Sequence, residues 1–345
     1  MTKEKRKILV IGPSWVGDMV MAQSLFMSLK ANGDCEIDVL APAWSLPILA
    51  RMPEVRHGIN MPLGHGQLSL STRRRLGKML FHEGYCQSIV LPGSFKSALV
   101  PFFANIPQRT GFRGEMRYGL INDMRPLNRR LLPMTVQRFV ALGQTRGAAP
   151  VSPPMPRLHA DSSNQEVLRK RFKLDPVRPA IAFMPGSEYG PAKQWPLTHY
   201  AKLAHLLGAL GFQIWVLGSE KDAVAARPIA NGNPTVIDFT GHTSLGDAVD
   251  LIALARAAVC NDSGLMHVTA ALNVPLVAIF GSSSPEHTPP LTSRAAIETL
   301  GLQCSPCFKR QCPLGHTHCL TGILPEKVLA KLEPFIGVAS TFGFS

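Results

Sequence analysis

At 345 residues the chain exceeds what one ordinary hydrophobic core serves, so two domains are expected. Its 46% apolar and 17% charged residues exclude a disordered polymer, and no apolar run approaches the ~20 residues of a membrane-spanning helix. Against 23 Asp and Glu stand 36 Lys and Arg, a formal charge of +13 that favours an anionic partner: nucleic acid, acidic lipid or a phosphorylated substrate.

The positive charge is clustered. Arg73, Arg74 and Arg75 are adjacent, and Arg109, Arg113, Arg117, Arg125, Arg129 and Arg130 crowd a second region. Composition alone weighs plain solubilising charge equally with ligand recognition. Nucleic acid is the weakest partner, because no aromatics interleave with the arginines and no recognition module is present. The basic N-terminus lacks the uninterrupted apolar stretch of a secretory signal, since Gly12-Pro13 and Asp18 cut it short. A cytoplasmic protein with its seven cysteines reduced is the expectation.

Taken in chain order, Ile8–Ile11, Ile37–Ala41 and Ser88–Leu91 read as strands, and segments beginning near Val16, Leu68 and Phe95 carry helical spacing. The first turn, "GPSWVGD", raises a dinucleotide fingerprint and fails it. Ser14 stands where the middle glycine must let a pyrophosphate approach, and "IDVLAP" ends the second strand without an acid for the ribose. A nicotinamide oxidoreductase is thereby disfavoured. Asp18, just inside the helix, is either a carboxylate stabilising a helix N-terminus or a general base; the first half of the chain does not decide between them.

Four prolines fall between Pro150 and Pro156, a density that blocks helix and sheet and marks a linker. Beyond it, "AIAFMPGSEYG", "FQIWVLGSEKD", "TVIDFTGHTS", "AAVCNDSGLMH" and "PLVAIFGSSSP" each run apolar and end in a small or polar turn, with helix-length segments at Leu197–Leu210 and Leu245–Ala255. This alternation predicts parallel sheets with helices on both faces and ligands at the carboxyl strand ends. Two doubly wound, Rossmann-like α/β domains facing each other across a cleft are expected: residues 1–160, residues 161–325, and a C-terminal segment 326–345 whose helix packs back toward the first domain.

Several strand-end groups suit a nucleoside diphosphate. Lys193 follows the Ser187 turn and precedes Trp195-Pro196, with Pro196 suited to the first helical position. Asp262, Ser263 and Gly264 end another strand with His267 one turn on, and Glu220 offers an acceptor for ribose hydroxyls. Each has a bland alternative: a solvated lysine, a helix-capping Asp262, a packed core His267. Near the end, Cys304, Cys307, Cys312 and Cys319 with His316 and His318 leave two readings open, a loop of reduced thiols or a structural zinc site.

The segments "ILVIGPSWVGDMVMAQSL", "RTGFRGEMRYGLINDMRPL", "GPAKQWP" and "NDSGLMHVTAALNVPLVAIFGSSSP" together resemble glycosyltransferase family 9, the heptosyltransferases. The resemblance implies the GT-B fold and an inverting transfer of L-glycero-D-manno-heptose from ADP-heptose to the first heptose of the lipopolysaccharide inner core. It implies a heptosylated Kdo-lipid A acceptor, no nucleic acid, no required cofactor, and peripheral work at the cytoplasmic face of the Gram-negative inner membrane. Matched residue by residue, it makes Asp18 the catalytic base. Ser187, Glu188, Lys193, Glu220, Asp262, Ser263, Gly264 and His267 become donor contacts, and Lys96, Arg109, Arg113 and Arg117 acceptor contacts. The sequence shows no D-x-D motif that would demand a catalytic metal, and a single base suffices for inversion. A sibling enzyme adding another core heptose and a non-catalytic nucleotide-sensing protein are the remaining alternatives.

Overall fold

A computed structural model of the chain describes residues 5–64 and 66–338, and these form two compact units, Met1–Arg157 and Leu158–Ser345. The division falls directly after the proline-rich stretch, where residues 148–161 carry no helix or strand.

The first unit is built on one six-stranded sheet. Its strands are β1 (Arg6–Ile11), β2 (Cys35–Pro42), β3 (Val55–Met61), β4 (Gln87–Val90), β5 (Gln108–Phe112) and β6 (Asp123–Arg125), in the order β3-β2-β1-β4-β5-β6. Every ladder is parallel, with Ile8 opposite Ile37 on one side and Gln87 on the other. Parallel pairing demands crossovers, supplied mainly by α1 (Val16–Ala31) and α2 (Leu70–Phe81), while α3 (Thr135–Gly143) packs on α1. The helix expected near Phe95 is a 3-10 turn, Phe95–Ala98, running into a five-residue helix, Leu99–Phe103, with Pro101 in the first turn where no N–H is required. Leu9, Val90, Val100 and Ile121 lie in the core on one face of this sheet.

The second unit repeats the scheme. Here β7 (Ala180–Met184), β8 (Gln213–Val216), β9 (Val236–Asp238), β10 (Ala257–Asn261), β11 (Leu276–Ile279) and β12 (Ala295–Glu298) pair in the order β12-β11-β10-β7-β8-β9, again all parallel. β7, β8, β10 and β11 are buried at every residue, which is why they read as unbroken apolar runs rather than alternating ones. Helices α4 (Ser162–Arg171), α5 (Leu197–Ala209), α6 (Ala223–Ala230), α7 (Leu245–Leu254), α8 (Gly264–Ala271) and α9 (Pro325–Ile336) flank it. Pro196 is the residue before α5 rather than its first, a shift of one position that still leaves its missing N–H harmless.

The C-terminal helix belongs to the second unit's core. α9 lays Val328, Leu329, Leu332 and Ile336 into the second unit's own core beside α5, β10 and β11. Its apolar stripe is used up there, at roughly 25 cal/mol for each Å² removed from water. Residues 339–345 of that segment lie outside the described residues.

Candidate functional site

Each sheet reverses its strand order once, between β1 and β4 in the first unit and between β7 and β10 in the second. At such a point the crossovers leave in opposite directions and open a crevice beyond the carboxyl ends of the strands. The residues singled out in the sequence gather around these two crevices.

In the first unit, β1 is followed by Gly12, whose N–H is held by the Leu40 carbonyl at 2.9 Å. A Cβ on Gly12 would stand 2.7 Å from the Met19 methyl, so a larger residue here would have to displace the end of that flexible side chain. Asp18 follows in the first turn of α1, half-buried, and no side chain caps that helix. Beside the turn lies a cavity of about 90 Å³ lined by Gly12, Ser14, Trp44, Arg73, Ser94 and Lys96 among others. Asp38 of β2 cannot serve a ribose. Burial alone would push its carboxyl up, but hydrogen bonds from Arg56 and from the Tyr85 hydroxyl, the latter 2.6 Å away, hold it below the usual range.

The arginines expected to meet an acceptor part company. Lys96 lines the cavity and Arg113 is exposed. Arg117, by contrast, is fully buried: its guanidinium donates to the carbonyls of Pro92 (2.7 Å) and Phe112. Arg109 spends its donors on the carbonyls of Ile106 and Leu120, both at 2.6 Å. Burial pushes both guanidinium pKa values down. These two, expected as acceptor contacts, spend their donors bracing the 92–121 segment. A charge pattern in sequence does not distinguish an arginine that meets solvent from one that ties off backbone carbonyls. Arg73 is a third such brace, bonded to the carbonyls of Gln67, Leu68 and Lys96.

In the second unit the donor candidates converge. The Lys193 ammonium sits 2.5 Å from Asp262 Oδ2, with the carboxylate nearly buried. Lys193 thus follows β7 and Asp262 follows β10, one on each side of the strand-order reversal. His267 is buried beside them, and its pKa falls to about 4, chiefly through burial, with Asp262 raising it and Lys193 lowering it. It is neutral at physiological pH. Asp262 does not cap α8; the residue before that helix is Ser263, in extended conformation with no capping side chain. Gly264 opens the helix, so its first N–H groups point out of the strand end.

Ser187 is drawn into the loop, its hydroxyl donating to the Gly190 carbonyl at 3.1 Å. Glu188 and Glu220 lie at the outer rim, where Glu188 pairs with the exposed Lys221 at 3.0 Å. Sequence reading missed the residue that fixes this geometry. Buried Asn261 accepts from the Trp195 N–H (3.1 Å) and the Tyr200 hydroxyl (3.2 Å) and donates to the Pro185 carbonyl (2.7 Å), locking β10 to the loop that carries Lys193. Its signal was the polar residue closing an otherwise apolar buried strand. Ser282 and Ser283, just past β11, hold buried hydroxyls without a hydrogen-bond partner among the described residues.

Among the described residues no helix is long and apolar enough to cross a membrane. Residues 73–318 match the family model described as glycosyltransferase family 9 (heptosyltransferase). The chain belongs to this family. It is 48% identical over 342 residues to lipopolysaccharide heptosyltransferase 2 of Salmonella typhimurium, covering 96% of this chain and 98% of that protein. Heptosyltransferase 1 of the same organism aligns over only 96 residues, at 32% identity, covering 27% of this chain and 29% of that protein. Among solved structures, E. coli ADP-heptose lipopolysaccharide heptosyltransferase II superposes with a TM-score of 0.86 at 45% identity, over 96% of this chain and 98% of that one. The fold is of the GT-B type, and a family member of this kind is a glycosyltransferase.

Proposed function

We propose that this glycosyltransferase moves L-glycero-D-manno-heptose from ADP-heptose to the first heptose of the lipopolysaccharide inner core, carried on a heptosylated Kdo-lipid A acceptor. The observation that carries the reading is the Lys193–Asp262 pair, its carboxylate buried, at the strand-order reversal of the second sheet. An ammonium attracts a diphosphate, whereas a carboxylate repels one and accepts hydrogen bonds from sugar hydroxyls. A ligand with both groups adjacent, a nucleoside diphosphate sugar, answers both halves of the pair. Near-full-length likeness to a heptosyltransferase 2, against partial likeness to a heptosyltransferase 1, supports the second-heptose step over its sibling.

Lys193 and the N-terminal N–H groups of α8 bind the diphosphate, and charge builds there as ADP leaves. Asp262, Ser263 and Gly264 hold the sugar side, and neutral His267 fills the space behind. Glu220 takes the adenosine ribose, with Ser187 and Glu188 shaping the entrance. Lys96 and Arg113 face the phosphorylated acceptor. Transfer is inverting: the acceptor oxygen bonds to the anomeric carbon as that carbon's bond to the β-phosphate oxygen breaks. ADP departs with the electron pair, and Asp18 takes the acceptor hydroxyl's proton. No covalent sugar intermediate forms, so a second carboxylate is not needed. None of these steps calls for a metal ion. The charge of +13 and an acceptor anchored in lipid support peripheral work at the cytoplasmic face of the inner membrane.

The test is a transfer assay with ADP-heptose and a singly heptosylated core acceptor, run on the wild type and on Asp18→Asn. Loss of a general base lowers turnover by roughly 10²–10⁴-fold. ADP affinity, measured by calorimetry, should be unchanged because its contacts lie in the other unit. Near-wild-type turnover in Asp18→Asn would refute the assignment of the base.

A further inference from the structure

Two cations of the donor site are already paired with carboxylates. The Lys193 ammonium sits against Asp262, and Lys221 at the rim sits against Glu188. Each pair is neutral overall, and a neutral pair attracts a diphosphate less than a free cation does. The demand grows during transfer, because departing ADP carries one more negative charge than the sugar nucleotide it came from. One cation nearby has no such partner. Arg310, on the loop after β12, is exposed, and its guanidinium makes no hydrogen bond or ion pair among the described residues. It lies instead 5.4 Å from the centroid of the Tyr189 ring, and the Lys193 ammonium lies 4.9 Å from the same centroid. Such a contact uses the π-face and leaves the in-plane N–H groups of the guanidinium open to an oxyanion.

Backbone contacts fix this placement. The Ala192 N–H donates to the Arg310 carbonyl at 3.1 Å, the Phe308 N–H to the Ser282 carbonyl at 2.7 Å, and the Tyr189 hydroxyl to the Phe308 carbonyl at 2.8 Å. A Cβ on Gly190, at φ +146°, would stand 2.6 Å from the Arg310 carbonyl oxygen. That neighbour is backbone and cannot swing away, so glycine is what lets the Lys193 turn and the Arg310 loop approach this closely.

We infer that Arg310 is a second diphosphate-binding cation of the donor site, brought beside Lys193 by the loop after β12. Its planar fork presents paired N–H donors to phosphate oxygens, where an ammonium acts as a point charge. With Arg310 the site carries net positive charge at the place where negative charge builds as ADP leaves. Lys309, exposed one position earlier, supplies a control of equal charge. The assignment rests on the donor reading proposed above, which ADP binding by the wild type checks separately.

ADP binding to the full-length chain is measured by calorimetry across a salt series for the wild type, Arg310→Gln and Lys309→Gln. Arg310→Gln should raise the ADP Kd about tenfold or more, the loss expected for hydrogen bonds to a charged group. Its salt dependence should also flatten, whereas Lys309→Gln should stay within about twofold of the wild type because an unaligned surface charge is screened. In the transfer assay, kcat/KM for the donor should fall at least as far as ADP affinity does. An unchanged ADP Kd in Arg310→Gln, or an equal loss in Lys309→Gln, overturns the assignment. So does a loss of affinity that keeps the wild-type salt dependence, the mark of a displaced turn rather than a missing cation. Should Arg310→Gln fail to fold, Arg310→Lys is read instead: charge is kept and the fork is lost, so the Kd should rise about threefold, and no rise overturns the assignment. A wild type that binds no ADP would overturn the donor reading itself, and this inference with it.

Discussion

His267 shows how one side chain ties the donor site to stability. Buried against Asp262 and Lys193, it has a pKa of about 4 in the folded chain, below the ~6.5 of an unfolded one. Above pH ~6.5 the imidazole is neutral in both states and stability is complete. Between there and pH 4 the unfolded chain takes up a proton that the folded chain refuses, so stability falls, by about 3 kcal/mol in all. Urea titrations of the wild type and His267→Gln should therefore converge as pH drops from 7 to 4, the variant losing less. Parallel pH dependences would mean that this imidazole titrates alike in both states. Lys193 adds to the effect of burial, because its ammonium disfavours a second cation beside it, while the Asp262 carboxylate works against both.

At the scale of the element, the loop from Pro92 to Ser97 owes its shape to a residue twenty positions further on. Arg117 reaches back to the Pro92 carbonyl and, at 3.4 Å, to the Ser97 hydroxyl, and so holds in place the 3-10 turn that presents Lys96. Replacing it with lysine keeps the charge but loses the planar fork that bonds two carbonyls at once. Arg117→Lys should cost about 2 kcal/mol in unfolding free energy, as expected for lost charge-assisted hydrogen bonds to buried carbonyls. It should also raise the acceptor KM on the order of tenfold through a displaced loop, with the donor KM unchanged. Equal changes in both KM values would mean that Arg117 supports the first unit as a whole rather than this loop. The braces at Arg73 and Arg109 follow the same logic: carbonyls at strand ends need donors, and where no strand supplies them a buried guanidinium does.

For the whole molecule, two units with separate cores imply unfolding that is not a single cooperative step. ADP contacts only the second unit on the reading proposed here. At a hundredfold excess over its Kd it should add about 2.7 kcal/mol to that unit and shift one calorimetric transition upward while leaving the other in place. A uniform shift of one transition would show that the units unfold together. What the sequence determined by itself was the alternation of buried strands and crossover helices, since strands such as β7 and β10, buried on both faces, must be continuously apolar. It also determined the linker, through prolines that exclude pairing, and the strand-end positions of Asp18, Lys193 and Asp262. The outer strands β3, β6 and β12, partly exposed and written "VRHGINM", "DMR" and "AAIE", carry no such signal and became visible only through their partners. Only the tertiary structure decided which charges reach solvent. It buried Arg117 on carbonyls, turned Asp262 from a helix cap into the partner of Lys193, and drew α9 into the second unit's core. Each of those outcomes depends on which backbone groups are left without partners once the sheets form, a quantity that distant segments set and local sequence does not contain.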